Sequence, residues 1–219
     1  MPAKIDREHR RAELAEAVWR SIVKHGIEHT SMRNIADESG WSRGVLQLYF
    51  SDKDELMLYA FELACDRSEA IDARARAKGA QGLDLLRHLM DARLNPDEEV
   101  MLVSLVLSGF VIQGRTRPSL GDALRRRWAS WTDFSKEMFR ALDAKGALRP
   151  GLDPDREAIE YLAFVHGLLQ LQLIDPSLFA ADEASERMVN EYLCKVGSPA
   201  ELARLGIEPL GPAERQGVT

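Results

Sequence analysis

The residues that could do chemistry in this chain are few, and most catalytic arrangements are missing. His25 and His29 stand four apart, the spacing at which two imidazoles on one helical face hold a metal, but the helix-ending Gly26 separates them. Cys65 and Cys194 are the only cysteines and have no ligand spacing, so they read as two reduced thiols of a cytoplasmic protein. There is no glycine-rich phosphate loop, His/Glu metal pair or nucleophile motif. No enzyme activity, metal or cofactor is therefore expected. What remains is a short polar run, Ser42 to Tyr49, followed by Lys53. Arg43 and Gln47 share one face of a helix there. An Arg fork matches the edge of guanine and a Gln amide matches that of adenine.

Reading bases requires an element that fits a groove, and the surrounding stretch, TSMRNIADESGWSRGVLQLYFSDK (30–53), supplies one. Thr30 is a candidate N-cap for a helix that buries Ile35 and Ala36 and ends at Gly40. The small Ala36 allows a close helix crossing, and Gly40 accepts the positive φ of a sharp reversal. Ser42 caps the next helix, whose inward ridge is Leu46 and Tyr49. That is a helix-turn-helix pattern, in which the second helix enters the major groove. Ser51 and Asp54 form a near capping box for the helix after it. Lys53 in that first turn opposes the helix dipole, which is explained if a phosphate sits at the helix end.

The formal net charge of −6 argues against a non-specific nucleic-acid binder, but it is unevenly distributed. Residues 1–53 carry nine Lys/Arg against eight Asp/Glu, and the remainder 20 against 27. The acidity belongs to the second part. The N-terminus is charged throughout and reads as no signal peptide. The longest apolar run, Val100 to Ile112, falls short of the roughly 20 residues that span a bilayer. No membrane association is expected.

The rest of the chain predicts helices and nothing else. Leu14, Ala15, Val18, Trp19, Ile22 and Val23 form one apolar stripe over 6–24, closed by Gly26. A long helix runs from Lys53 to about Lys78, where Gly79 and Gly82 mark a joint. Five more segments follow, over about 83–94, 97–115, 120–145, 153–174 and 181–196, the fourth started by Asp153-Pro154. Val100–Ile112 is apolar almost all round and is expected as the central helix of the body. Arg125, Arg126 and Arg127 read as a solvated charge run.

Ser31, Ile35, Ala36, Gly40, Ser42, Gly44, Leu46, Tyr49, Phe50, Lys53 and Leu56 stand at the matching positions of a pattern near the N-terminus of the TetR family of transcriptional regulators. The chain resembles that family, with Trp41, Gln47 and Leu48 replacing its usual valine, tyrosine and histidine. The stretch 146–176 resembles the body of the BetI-like branch. The resemblance implies an all-α fold, with an N-terminal three-helix helix-turn-helix domain (1–53) and a connecting helix over about 53–78. A helical-bundle domain for effector binding and dimerisation (79–196) and a loosely ordered tail (197–219) would follow. It implies a homodimeric, ligand-responsive repressor of a double-stranded operator. The operator would be a pseudo-palindrome whose two half-sites face the two recognition helices about 34 Å apart.

On that basis Arg43 and Gln47 are the base-reading candidates, with Arg33, Ser42, Gly44 and Leu48 on the DNA side. Thr30, Ser31, Tyr49 and Lys53 would contact phosphate and set register. Leu162, Leu169 and Leu173 on one helix and Val189, Tyr192 and Leu193 on another form stripes that could build a two-fold four-helix dimer interface. Met90, Arg93, Phe110, Gln113, Trp128, Trp131, His166 and Gln170 mix aromatic surface with polar groups, as a pocket for an amphipathic small-molecule effector would. The alternative function is an all-α small-molecule-binding or interaction protein that does not act through DNA.

Overall fold

The computed structural model describes residues 2–77, 81–179 and 184–208. Among them are ten α-helices: α1 (Pro2–His25), α2 (Met32–Ser39), α3 (Arg43–Tyr49), α4 (Lys53–Arg76), α5 (Leu83–Leu94), α6 (Glu98–Gln113), α7 (Pro118–Ala144), α8 (Pro154–Ile174), α9 (Ala184–Val196) and α10 (Pro199–Arg204). A 3-10 turn covers Pro176–Phe179. The described residues form no strand, only an isolated antiparallel bridge between Leu148 and Gly197. The fold is all-α, as expected. The expected breaks at Gly79 and Lys78 and the expected start at Ala181 lie outside the described residues.

The chain packs as two compact units. Of the described residues, those within 1–70 and 98–128 form one unit and those within 71–97 and 129–219 the other. This grouping differs from the contiguous division expected from sequence, because α6 packs with α1 and α4 and the first part of α7 with α4. In the first unit, Leu14, Val18, Trp19 and Ile22 of α1 are buried together with Ile35, Leu46, Phe50, Leu56 and Phe61. The Trp19 indole N–H donates to the Ala60 carbonyl at 3.0 Å, so the largest apolar side chain of the core has no orphaned donor. On α6, Val103, Val106 and Phe110 point inward, and Phe110 meets the edge of Phe61 at 5.6 Å. Leu105, Val111 and Ile112 of the same helix are exposed. α6 is therefore not buried all round, and its uniform apolarity carried no period by which its inner face could be told.

Two caps differ from expectation by one residue. Ser31, not Thr30, is the N-cap of α2 and accepts from the Asn34 N–H at 3.2 Å. At the start of α4 the capping residue is Asp52, which accepts from the Glu55 N–H at 2.8 Å, while Glu55 reaches back to the Ser51 N–H at 2.7 Å. This satisfies two otherwise unpaired donors reciprocally, with Asp52 in the role expected of Ser51. The Ser42 cap of α3 is as expected, accepting from the Val45 N–H.

In the second unit α5 packs against both α8 and α9. Leu83, Leu86, Leu89, Met90 and Leu94 are buried with Val165, Leu168, Leu169, Val189 and Leu193. The segment after 196, expected to be loosely ordered, is packed as far as it is described. Arg149 N–H donates to Val196 O and Ser198 N–H to Ala147 O. Ser198 then caps α10, Leu202 is buried, and Glu201 accepts from the Leu83 N–H. The composition of this segment concealed a short helix with a Ser-Pro start. Residues 209–219 of the expected tail lie outside the described residues.

Candidate functional site

The turn between α2 and α3 is fixed by backbone geometry and by one arginine. Gly40 has φ +72° and its N–H bonds back to Ala36 O, which closes α2 in the left-handed conformation that favours glycine. At the far end of α3, Arg11 from α1 donates to the Tyr49 carbonyl at 2.7 Å and to Glu55 at 3.1 Å. Its guanidinium also lies over the rings of Phe50 and Tyr59, 4.2 and 4.7 Å from their centroids. Arg10 sits 5.4 Å from the Trp41 ring, and Trp41 meets Tyr49 edge-on at 5.8 Å. α3 is thus held at both ends by α1. Arg11 lies 38 residues from Tyr49, so nothing local in the sequence marks this role.

With its ends held, α3 presents Arg43, Gly44, Gln47 and Leu48 to solvent, with the exposed Ser42 just before them and exposed Arg33 on α2. Ser31 and Tyr49 are half-buried. Thr30 is not on this surface. It is 1% exposed and its hydroxyl donates to the Gly26 carbonyl, so, contrary to expectation, it offers a phosphate neither surface nor a free donor. Lys53 is the first residue of α4 and half-buried. Its ammonium pKa lies below the usual lysine value, chiefly through burial and then through the neighbouring charge of Arg117. Arg117 itself bonds Asp54. The cation at this helix end is thus held by the protein in partial desolvation, which strengthens its attraction for an anion.

The eight effector candidates separate. Phe110, Gln113 and Trp128 belong to the first unit, and Met90, Arg93, Trp131, His166 and Gln170 to the second. In the second unit Arg93, 8% exposed, pairs with Asp72 at 2.6 Å, and Trp131 stacks on His166 with ring centroids 6.4 Å apart. Burial first, and then the Arg93 charge, push the His166 imidazole down to about 4, with Asp72 partly offsetting them, so the ring is neutral near pH 7. Met90 is fully buried. Gln170 is exposed, whereas Gln172, two residues on, is buried and donates to the Leu94 carbonyl at 2.6 Å. Sequence reasoning missed Asp72 and Gln172. A polar-lined cavity of about 540 Å³ also opens in this unit beside Arg87, His88, Asp91, Ala92, Asn95 and Glu186, residues that no motif or spacing groups together.

The dimer candidates divide as well. Leu169, Val189, Tyr192 and Leu193 are at most 6% exposed within the chain itself, so they serve its own core. Leu162 and Leu173 are half-buried. The side of α8 that remains open carries Ile159, Gly167, Leu171 and Ile174, continued by Leu178 in the 3-10 turn. α8 is apolar on both sides, so its periodicity alone does not tell the buried face from the open one.

A seven-residue helix held at both ends, presenting an Arg and a Gln after a left-handed glycine turn, defines a helix-turn-helix protein of the DNA-binding kind. Residues 14–60 match the family model of bacterial regulatory proteins of the tetR family, and residues 82–196 match that of the BetI-type transcriptional repressor C-terminal domain. The chain belongs to the TetR family of transcriptional regulators, with a BetI-type body. It is 33% identical over 180 residues to the transcriptional regulator PksA of Bacillus subtilis, covering 80% of this chain and 84% of PksA. It is 27% identical to the nicotine-responsive transcriptional repressor HdnoR of Paenarthrobacter nicotinovorans, covering 86% of this chain and 96% of HdnoR. A crystal structure of a transcriptional regulator from Rhodococcus sp. Rha1 has the same fold, with a TM-score of 0.71 at 24% identity, covering 84% of this chain and 93% of that one. No helix among the described residues is long and apolar enough to cross a membrane.

Proposed function

We propose that this regulator binds a pseudo-palindromic operator as a homodimer in the cytoplasm, acts as a repressor rather than as an enzyme, and is released by a small-molecule effector. The observation that carries the DNA reading is the surface of α3. Arg43 and Gln47 are exposed there one turn apart, on a helix whose last carbonyl is held by Arg11 of α1. Arg43 and Gln47 read base edges. Ser42, Ser31 and Lys53 hold phosphates on either side, and Arg33 reaches the duplex from α2.

The dimer forms along the open side of α8, through Ile159, Leu171 and Ile174, with Gly167 allowing the two helices to approach closely. The effector binds the second unit at Arg93, Trp131 and His166, where a buried cation, a stacked aromatic pair and a neutral imidazole suit an amphipathic molecule with a polar end. The nicotine-responsive control of the similar HdnoR supports a small-molecule signal. Effector and operator would each weaken the other's binding by the same factor, typically about 1–3 kcal/mol. The effector favours a conformation in which the two recognition helices no longer match adjacent grooves. Gel shifts of the full chain on the DNA upstream of its own coding sequence, across a salt series, test the reading. A retained complex whose affinity falls with salt supports it, and no complex at low salt refutes it.

A further inference from the structure

An α-helix turns by about 100° per residue. On α3 this puts Gly44 and Leu48 on the side opposite Leu46, which is fully buried, with Arg43 and Gln47 to one side of them. Gly44 and Leu48 are therefore the crown of the helix, the part that would enter deepest into a groove. The fold explains neither residue. A Cβ added at Gly44 would meet only the Ser42 hydroxyl oxygen, at 3.8 Å, so packing has no need of a glycine there. Leu48 is 72% exposed and its side chain covers no core. A bare position followed one turn later by a bare leucine makes a shallow notch beside an apolar knob.

Base edges in the major groove are polar, with one apolar group among them, the C5 methyl of thymine. We propose that Leu48 packs on a thymine methyl, and that the operator carries a thymine in each half-site at the step facing Leu48, next to the bases paired with Arg43 and Gln47. The notch at Gly44 lets the helix backbone approach the duplex closely enough for that contact. Arg43 and Gln47 would then supply hydrogen-bond selection and Leu48 a methyl test beside it. This rests on the proposed DNA reading and adds a chemical requirement to it.

The test uses the full-length chain and a duplex selected by it from a random-sequence library. Each thymine of one half-site is replaced singly by uracil, which removes the methyl and leaves the pairing edge intact. One position is expected to lose affinity by about four-fold, corresponding to the roughly 0.8 kcal/mol of one buried methyl group, with the other positions unchanged. Leu48→Ala, a substitution at an exposed site, is expected to bind the thymine and uracil duplexes equally. If a duplex is selected but no thymine responds, or the response persists in Leu48→Ala, the methyl contact is overturned while the DNA reading stands. If no duplex is selected, both fall.

Discussion

Arg127 of α7 donates from Nε to Glu62 of α4 at 2.7 Å, and the same guanidinium reaches Asp66 at 2.7 Å and Glu69 at 3.0 Å. Three carboxylates along one face of α4 share one cation. Of the arginines at 125–127, which read as a solvated run, this one is a built part of the first unit, 24% exposed at its side chain. Arg127→Ala would leave the three carboxylates facing one another. A loss of about 1–2 kcal/mol is expected, read as a lower urea midpoint and reduced by added salt. Arg127→Lys should restore only part of it, because an ammonium cannot fork to three partners.

Gly40→Ala isolates the backbone cost of the turn. Nothing lies within 4 Å of the added Cβ, so the penalty comes from φ +72° alone. A destabilisation of about 1 kcal/mol is expected in thermal or urea unfolding. A neutral result would mean that the left-handed turn does not hold α2 against α3.

The His166 ring supplies a pH signature. Its pKa is about 4 in the folded chain and that of an ordinary histidine, about 6.5, when unfolded. Between these values the unfolded chain takes a proton that the folded chain refuses, so stability falls as pH drops from 6.5 towards 4 and is unaffected above 6.5. The contribution is on the order of 2–3 kcal/mol. Urea midpoints measured from pH 7 to 4 should fall less steeply in His166→Gln than in the unaltered chain.

The two sides of α8 should respond oppositely to charge. Ile174 is 78% exposed and Leu169 4%. Ile174→Asp is expected to yield a folded monomer by light scattering, with native helical circular dichroism. Leu169→Asp should lose the fold instead, because it buries an unpaired carboxylate. A dimeric Ile174→Asp would move the interface elsewhere.

What could be read in the sequence follows from where local chemistry decides the structure. α5 and α8 begin and end where expected, because Gly82, Asn95-Pro96, Asp153-Pro154 and Asp175-Pro176 act within a few residues of each boundary. The crown of α3 was legible for the same reason, from Ser42, Gly44 and the Leu46 ridge. Thr30 and Ser31 are both good caps, and only the packing of Thr30 onto Gly26 chose between them. Gln170 and Gln172 are equally polar on an apolar helix, and only contact with Leu94 decided which is inside. The same two-sided apolarity left the inner face of α8 unmarked, and Leu169 among the expected interface residues is buried in the chain's own core. Arg11 at Tyr49, Asp72 at Arg93 and Arg127 at Glu62 join distant segments, which periodicity does not encode.

The central claim is that exposed polar residues of α3 choose the DNA sequence, and the most direct measurement compares the selected-site profile of the full-length chain with those of Gln47→Ala and Lys53→Ala. Gln47→Ala is predicted to relax or change the preferred base at one step of each half-site. Lys53→Ala should keep the profile, weaken binding to all sequences alike and lower the salt slope by about one. An unchanged profile for Gln47→Ala would contradict the account.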